Sequence, residues 1–464
     1  MFSSATYQQR RQVLAQRIGN GLILLPGNIE LPFNYTANTY PFRQDSTFLY
    51  YVGLDEPELN VLIDAATGET HLFGDDTSLE SEVWTGPRPT LAEKAALAGI
   101  VHTHPAAAWA PALAAAREAD RPLHFLYPYQ AEIQLALCEY LHLSPADLKA
   151  AASEALVQAC FAQRAYKTDA EIEQIEAALA TTARMHVAAM RTARPGMQEA
   201  EVMAAVAREA HTDHVVPAYG IILSVRGEVL HNHHYHNTLT SGQLLLIDAG
   251  AESPMHYAGD ITRTIPVDKT FTPRQRDLYD VVLAAHEAAA ALLRPGISYR
   301  AVHDAAALQI AEGLTRLGLM QGDPAAAVEA DAHALFFVHG LGHMLGLDVH
   351  DMENYGEQHI GYTPDISRSP DFGTKYLRLA RKLEAGFVLT VEPGIYFIPA
   401  LIRLWEREDK FRAYICYDRL GAYLDFGGIR IEDNYLITPD GSRRLGPHIP
   451  RTTAEIEAER ALAW

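Results

Sequence analysis

Four acidic side chains stand inside or directly after segments that are typical of buried β-strands. Asp248 and Glu392 each follow a strand-like apolar run, Asp260 opens an alternating strand, and Glu432 follows an isoleucine. Aspartate and glutamate are rarely buried unless they are paired or bind a metal. One such residue alone is typical of a strand end that reaches solvent. Four together favour a fold that gathers carboxylates around divalent cations, which reverse the repulsion between them.

Histidines that are able to complete a metal site lie between these strands. His339 and His343 are four residues apart, a spacing also found in zincins, and His350 follows. There is no HExxH motif, and glycines at 340 and 342 disfavour a helix, so we expect a glycine-rich loop or helix entrance. The tract 231–236 is interpreted as a surface metal-binding run or as partly incidental. A site with mostly carboxylate ligands and one or two imidazoles suits Mn²⁺, Co²⁺ or Zn²⁺, and the oxygen majority favours Mn²⁺.

The second part of the chain carries a repeated arrangement. The motif Arg-Pro-Gly occurs at 194–196 and again one hundred residues later, at 294–296. Each copy follows a long Ala-rich helical pattern and precedes another, and His186 and His286 each lie eight residues before the arginine of their copy. Two similar halves predict an internal pseudo-duplication, with a site where the halves meet.

The chain is expected to hold two domains. Residues 1–163 mix short strand patterns with Ala-rich helical ones and are interpreted as a small α/β domain. The second domain, residues 164–464, begins near a capping box in which Thr168 stands three residues before Glu171. In the first domain we predict strands at 21–25, 47–52 and 60–63 and helices at 91–98, 105–117 and 131–141, and in the second domain strands at 244–247, 260–267, 387–397 and 428–438.

Composition and missing motifs exclude other classes of protein. The chain of 464 residues has 38 basic and 58 acidic residues, and its net charge of -20 disfavours binding to nucleic acid or to an anionic membrane. No apolar run approaches the ~18 residues of a membrane span, and no secretory signal is recognised. Three widely spaced cysteines form neither a disulfide framework nor a CxxC site, which favours a cytoplasmic location. A GxSxG elbow, a phosphate-binding loop and a GxGxxG unit are absent from the sequence.

The motifs in this order resemble those of the pita-bread metallopeptidases, and more narrowly their Xaa-Pro branch, which comprises aminopeptidase P and prolidase. All five metal-ligand positions of that family are filled, and residues 40–50 also resemble the amino-terminal domain of aminopeptidase P. The resemblance implies an α/β (α+β) protein, in which a small N-terminal α/β domain precedes a pita-bread catalytic domain with a pseudo-twofold internal duplication. The motifs that carry it are residues 247–250, 259–264, 339–343, 391–396 and 428–433.

The resemblance also implies a ligand set for two divalent ions. Asp248 would bind one ion, His343 and Glu392 would bind the other, and Asp260 and Glu432 would bridge both. The family usually has one residue fewer between the positions of Asp248 and Asp260, so we expect a β-bulge there. Residues 354–375 and 399–424 are insertions relative to the family pattern.

Further active-site roles follow from the same resemblance. His231, His339 and His350 match catalytic histidines, and Arg430 shares a strand face with Glu432. Glu392 would shuttle a proton to the leaving nitrogen, and His231 would stabilise the oxyanion. Arg378 matches an arginine that holds the free carboxylate of a short substrate, and Tyr396 is assigned to substrate binding.

The implied activity is hydrolysis of a Xaa-Pro bond in proline-containing peptides. An aminopeptidase is favoured over a dipeptidase of the prolidase type, which remains the alternative. Two other classes share the fold: creatinase-type enzymes, which use no metal, and degenerate protein-binding domains. The complete ligand set disfavours both. We also expect a homo-oligomer, a dimer, without nucleic-acid or membrane partners.

Overall fold

The computed structural model describes residues 1–462. The chain divides into two compact units, Met1–Arg164 and Ala165–Trp464, whereas the sequence analysis places the boundary between residues 163 and 164. Within the described part of the chain, no helix is both long enough and apolar enough to cross a membrane.

The first unit contains a five-stranded sheet. Its strand order is β6-β5-β4-β1-β7, and one face packs through Leu24, Leu62 and Phe73 against α5, α6 and α7. The helices are α1 (Ser4–Ile18), α2 (Ser46–Val52), α3 (Leu79–Thr85), α4 (Leu91–Leu97), α5 (Trp109–Glu118), α6 (Ala131–Leu141), α7 (Pro145–Ala151) and α8 (Glu154–Arg164). The strands are β1 (Leu22–Pro26), β2 (Pro32–Tyr35), β3 (Asn38–Thr39), β4 (Asn60–Asp64), β5 (Thr70–Phe73), β6 (His102–His104) and β7 (Leu123–His124).

Residues 47–52 belong to helix α2, so the strand predicted there is wrong. The Asp45 side chain caps the helix by accepting a hydrogen bond from the Phe48 backbone N–H at 2.9 Å. Every residue of α2 is buried, and Gly53 ends it with a φ of 76°. A short apolar run that is buried on all sides has no periodicity to separate strand from helix. The other elements predicted in this unit are confirmed to within a few residues by β1, β4, α4, α5 and α6.

The second unit consists of long helices and three short antiparallel sheets, with strand orders β10-β9-β8, β11-β14-β15 and β12-β13. The helices are α9 (Asp169–Thr192), α10 (Glu199–Thr212), α11 (Pro273–Leu292), α12 (Tyr299–Arg316), α13 (Pro324–Glu329), α14 (Glu357–Ile360), α15 (Pro399–Arg407), α16 (Tyr417–Leu420) and α17 (Thr453–Ala461). The strands are β8 (Ile222–Ser224), β9 (Leu244–Ala249), β10 (Ile261–Pro266), β11 (Val388–Val391), β12 (Gly394–Tyr396), β13 (Gly428–Arg430), β14 (Asp433–Ile437) and β15 (Ser442–Arg444).

Two long strands predicted in this unit are each broken once. The segment 387–397 forms β11 and β12, and the segment 428–438 forms β13 and β14. The two breaks lie opposite each other, because β11 pairs with β14 and β12 pairs with β13. Glu392 and Glu432 both stand in these breaks.

The β9–β10 hairpin has no bulge, so the bulge expected between Asp248 and Asp260 is wrong. The pairing keeps one register from Leu244↔Pro266 to Ala249↔Ile261, and the bridge between Glu252 and Ala258 continues it. The additional residue is therefore accommodated in the turn at 253–257.

The internal duplication is visible in how two helices support two sheets. The capping box of Thr168 and Glu171 opens α9, which packs against α10, and α11 packs against α12. His186 on α9 lies 3.1 Å through Nε2 from the Ala249 carbonyl oxygen, and His286 on α11 lies 3.4 Å through Nε2 from Asp433 Oδ2. Each buried histidine thus contacts the residue that follows a predicted metal ligand, Asp248 in one half and Glu432 in the other.

Candidate active site

The second unit contains a cavity of about 560 Å³. Its wall holds nearly all the residues that the sequence assigns to the site, and they come from positions more than two hundred residues apart in the chain. They are Asp248, Asp260, His343, Glu392 and Glu432, the predicted metal ligands, together with His231, His339, His350, Arg378 and Arg430.

Backbone pairing brings the acidic residues together. Asp248 lies on β9 opposite Thr262 of β10, and Thr262 Oγ1 donates a hydrogen bond to Glu432 Oε2 at 2.8 Å. His343 Nε2 lies 3.3 Å from Asp260 Oδ2 and 3.6 Å from Glu392 Oε1. Asp260, His343 and Glu432 each offer one ligand atom, and these three atoms lie within 4.8 Å of one another.

The electrostatics of this cluster fit a cation. Burial, with the charge of Asp248, raises the pKa of Asp260 to about 7. Burial, with the charges of Asp260 and Asp248, raises the pKa of Glu392 to about 8 against the opposing effect of Arg430. The pKa of Glu432 is raised well above its usual value by burial and by the same carboxylates. Among the described residues, the buried Glu432 Oε1 has no hydrogen-bond partner. A divalent ion would neutralise the cluster and satisfy this oxygen, so the donor set fits the metal site that the sequence predicts.

The hydrogen bonds distinguish His343 from His339. His343 Nδ1 donates to the Met344 carbonyl oxygen at 3.0 Å, which leaves Nε2 facing Asp260 and Glu392. Metal-binding histidines usually donate their second N–H in this way, and burial keeps His343 neutral by lowering its pKa to about 4. Both ring nitrogens of His339 are occupied, Nδ1 by the Gly340 carbonyl oxygen at 2.7 Å and Nε2 by the Tyr396 hydroxyl at 2.8 Å. The geometry therefore favours His343 as the ligand.

The segment that carries both histidines is a loop, as the glycine spacing predicts. A Cβ at position 342 would lie 2.3 Å from the Thr390 carbonyl oxygen. Glycine at 342 thus lets the loop approach strand β11, whose Thr390 Oγ1 accepts a hydrogen bond from the His343 backbone N–H at 3.2 Å. This contact fixes His343 beside the break that holds Glu392.

Tyr396 is not among the described residues that line the cavity, and its assignment to substrate binding stays a prediction. Its ring is fully buried, and its hydroxyl accepts a hydrogen bond from Arg430 Nη1 at 2.8 Å while it donates to His339. Arg430 also binds Asp248 Oδ2 through Nη2 at 2.6 Å. Tyr396 therefore connects His339 and Arg430, two residues that line the cavity.

Arg378 lies in the cavity wall but is engaged by acidic residues. Its guanidinium contacts Glu353 and, at 3.0 Å, Glu357 Oε1. Glu353 Oε2 accepts a hydrogen bond from His350 Nδ1 at 2.5 Å, and the His350 ring contacts the His343 ring with centroids 3.9 Å apart and planes tilted by 33°. The sequence analysis did not identify Glu353, although an acidic residue three positions after a candidate histidine could have indicated a contact between the two side chains.

Lys167 stabilises the segment that carries His343 and His350 through a buried ion pair. Its Nζ lies 2.8 Å from Asp351 Oδ2, and both side chains are about 1% exposed. Asp351 follows His350 directly, and its backbone N–H donates to the Met344 carbonyl oxygen at 2.9 Å. The ion pair therefore holds the loop on which His343 and His350 meet.

Tyr219 is the main site residue that the sequence analysis missed. Its hydroxyl lies 2.6 Å from Asp248 Oδ1 and 2.5 Å from Asp260 Oδ1, so it bridges the two acids of the β9–β10 hairpin. Burial and the neighbouring carboxylates raise its pKa well above the usual value, which keeps the hydroxyl protonated. A tyrosine in an irregular segment has no pattern that predicts this contact.

The histidines of the tract 231–236 fall into two groups, one that lines the cavity and one that does not. His231 and His233 line the cavity, whereas His234 and His236 do not, and the rings of these two stack on each other with centroids 5.6 Å apart. Burial lowers the pKa of His231, with Arg430 acting in the same direction.

Arg263 holds the backbone of Glu432, one of the predicted metal ligands. It is fully buried on β10, and its guanidinium donates to the carbonyl oxygens of Glu432 at 2.7 Å and Pro450 at 3.0 Å. It also forms an ion pair with Asp433 Oδ1 at 2.7 Å.

Buried carboxylates and one imidazole that converge on a cavity between two similar halves define a metal-dependent hydrolase. Comparison with known proteins agrees: the chain belongs to metallopeptidase family M24, whose sequence model matches residues 173–439. The model of the aminopeptidase P N-terminal domain matches residues 7–124. The chain is therefore a metallopeptidase with a mixed α/β architecture and a pita-bread catalytic domain.

Curated relatives match nearly the whole chain. The Xaa-Pro aminopeptidase of Escherichia coli (strain K12) is 32% identical over 478 residues, which cover 98% of this chain and 97% of that protein. The Xaa-Pro aminopeptidase of Haemophilus influenzae is 32% identical over 462 residues, with 97% and 95% covered.

Solved structures of related aminopeptidases also match the chain over its full length. The Pseudomonas aeruginosa aminopeptidase PepP has a TM-score of 0.82 at 29% identity and covers 100% of this chain and 99% of that chain. Escherichia coli aminopeptidase P with the inhibitor Pro-Leu has a TM-score of 0.81 at 29% identity and the same coverage. A zinc-substituted form of the Escherichia coli enzyme is also similar, with a TM-score of 0.81, 29% identity and the same coverage.

Proposed function

We propose that this chain is a Xaa-Pro aminopeptidase, which hydrolyses the bond between the first residue of a peptide and a following proline. The observation that carries the proposal is the cavity in which acids of the β9–β10 hairpin, a loop histidine and the acids of two strand breaks converge. The relatives named Xaa-Pro aminopeptidase support the same activity.

Five residues are proposed to hold two divalent ions. Asp248 would bind one ion, His343 and Glu392 would bind the other, and Asp260 and Glu432 would bind both. Four carboxylates and one imidazole favour Mn²⁺, with Co²⁺ or Zn²⁺ as alternatives. When bound, the ions lower the pKa of water and polarise the carbonyl group of the scissile bond. Metal analysis of the purified protein, and recovery of activity with each ion after chelation, test the proposed preference.

Glu392 is the proposed proton donor to the leaving nitrogen. That nitrogen belongs to a tertiary amide and needs a proton as it departs. Glu392 lines the cavity beside the other predicted ligands, where its carboxylate would take up a proton from the attacking water and pass it to that nitrogen. His231, which lines the same cavity, is proposed to stabilise the negative charge that develops on the carbonyl oxygen.

Three further residues are proposed to position these groups. Arg430 orients the Asp248 carboxylate through their ion pair, and Tyr396 holds Arg430 and His339 in place. His350 contacts the His343 ring and orients it. Their variants are expected to slow turnover more than they weaken metal binding.

The apolar part of the cavity wall supports selectivity for proline. The pyrrolidine ring has no N–H to bind, so a site selects it by shape. Six apolar side chains line the cavity, and one of them, Phe372, comes from the insertion 354–375: Ile222, Leu230, Val338, Val349, Phe372 and Ile398.

The contacts of Arg378 favour an aminopeptidase over a dipeptidase. A dipeptidase needs a free cation for the carboxylate that follows proline, whereas Arg378 is already paired with Glu353 and Glu357. The test is a substrate panel in the presence of Mn²⁺: a Xaa-Pro dipeptide, a Xaa-Pro-Yaa tripeptide, a longer Xaa-Pro peptide and a peptide without proline. Faster cleavage of the tripeptide and longer peptide supports the proposal, and cleavage of the dipeptide alone would replace it with the prolidase alternative.

We further propose a cytoplasmic homodimer that acts on proline-containing peptides and has neither nucleic-acid nor membrane partners. The three cysteines, Cys138, Cys160 and Cys416, are odd in number and widely spaced in the sequence, which favours a reducing compartment. The net charge of -20 disfavours polyanionic partners. Cell fractionation and light scattering of the purified protein test these two statements.

A further inference from the structure

A second group of metal-binding side chains lies in the first unit, on the sheet edge formed by β5 and β6. These strands pair in parallel with the register His71↔His102 and Phe73↔His104. Partners in register project from the same face of a sheet, and residue 69 shares the face of residue 71 because side chains alternate. The topology therefore places Glu69, His71 and His102 side by side.

The distances within this group match a tetrahedral ion. Glu69 Oε1 lies 3.1 Å from His102 Nε2 and 3.5 Å from His71 Nε2. All three ligand atoms lie within 4.8 Å of one another. Tetrahedral zinc with bonds of 2.0–2.1 Å separates its ligand atoms by about 3.3 Å, so only small rotations would bring the three atoms onto one ion.

A fourth residue fixes the orientation of His71. His71 Nδ1 lies 3.0 Å from His104 Nε2, and His104 stacks on Phe73 with ring centroids 4.9 Å apart. When the N–H at His71 Nδ1 donates a hydrogen bond to His104 Nε2, the lone pair of His71 Nε2 faces Glu69. Metal-binding histidines are held by this kind of second hydrogen bond.

We propose that Glu69, His71 and His102 bind a zinc ion that is additional to the metal ions of the catalytic cavity. Two imidazoles and one carboxylate are a donor set that zinc accepts, with water in the fourth position. The side chains of Glu69 and His102 are each 48% exposed, so an ion can enter from solvent. Zinc there would tie the three-residue edge strand β6 to β5 and stabilise the first unit.

The test is equilibrium dialysis of the full-length holoenzyme over a series of buffered free zinc concentrations, with bound zinc measured by elemental analysis. Wild-type protein is expected to bind one zinc ion per chain more than His71→Ala or His102→Ala. His142→Asn removes an exposed imidazole of the same unit at a left-handed position that asparagine tolerates, and is expected to bind as wild type. Xaa-Pro hydrolysis by His102→Ala should be unchanged, which separates this site from the proposed catalytic function.

Two results would overturn the proposal: equal zinc binding by wild type and His102→Ala, or the same loss in His142→Asn as in His102→Ala. Glu69→Gln protects the test against a folding defect, because it keeps the size of the side chain. It should lower the zinc affinity while the circular dichroism spectrum without zinc matches wild type.

Discussion

The contacts of Arg263 predict that its replacement by methionine destabilises the second unit strongly. Methionine keeps an unbranched chain of similar length but removes the guanidinium. The change breaks the ion pair with Asp433, whose side chain is 3% exposed, and leaves the carbonyl oxygens of Glu432 and Pro450 without their donor. Removal of one partner of a buried ion pair costs about 3–5 kcal/mol.

Three groups that remain near Asp433 set the expected loss toward the lower end of that range. His286 Nε2 lies 3.4 Å, Arg451 Nη1 3.6 Å and Arg444 Nη1 3.9 Å from Asp433 Oδ2, so the carboxylate keeps part of its compensation. We therefore expect a loss of about 3 kcal/mol in the free energy of unfolding. The loosened backbone at Glu432 should also lower metal affinity about 10–100-fold, as for other residues that orient a ligand.

The assay is urea-induced unfolding of metal-free protein followed by circular dichroism, with metal affinity measured separately by calorimetry. The matched control is Arg191→Met, because Arg191 forms an ion pair with Glu459 but its side chain is 54% exposed. An exposed pair contributes about 0–1 kcal/mol. If Arg263→Met loses no more stability than Arg191→Met, the reasoning about this buried network is wrong.

Four further predictions concern the active site. Asp260→Asn or Glu432→Gln should remove nearly all hydrolysis of Xaa-Pro peptides while circular dichroism stays as in wild type, and full activity in either would contradict the ligand set. Tyr219→Phe should weaken Mn²⁺ binding about 10–100-fold in calorimetry, because its hydroxyl orients two acids; unchanged affinity would refute this. Mn²⁺ affinity should rise from pH 6 to pH 8, because Asp260 and Glu392, with pKa values of about 7 and 8 in the metal-free protein, must lose protons to bind it; a flat profile would contradict these shifts. Because Arg378 is paired with Glu353 and Glu357, Arg378→Ala should change kcat/KM for Xaa-Pro dipeptides and for longer peptides to the same extent; a loss on dipeptides alone that corresponds to about 1.5–3 kcal/mol would instead show that the arginine binds their carboxylate.

The predicted acids could be found in the sequence because each is a local anomaly. A carboxylate beside a buried strand is visible without knowledge of the fold, and Asp248, Asp260, Glu392 and Glu432 all line the cavity. The two strand breaks that hold Glu392 and Glu432 were not predictable in the same way. They depend on β11 pairing with β14 while β12 pairs with β13, which are contacts between distant segments.

Residues that act through long-range contacts gave no local signal. Tyr219 contacts Asp248 and Asp260, which lie 29 and 41 residues further along the chain. Tyr396 is held by hydrogen bonds of its hydroxyl to His339 and Arg430, which lie 57 and 34 residues away in the chain. The wrong strand at 47–52 has the same origin, since burial on every side removes the periodicity that would identify a helix.

The buried Lys167–Asp351 ion pair determines where the catalytic half of this chain can be separated from the rest. The family match begins at residue 173, but Lys167 and Glu171 lie before that point. A fragment cut at 173 would lose the ammonium group that neutralises Asp351 beneath His350, and the carboxylate that accepts a hydrogen bond from the Tyr257 hydroxyl at 2.9 Å. A fragment that is meant to fold and bind metal by itself therefore has to start upstream of Lys167, at the Ala165 boundary or before it.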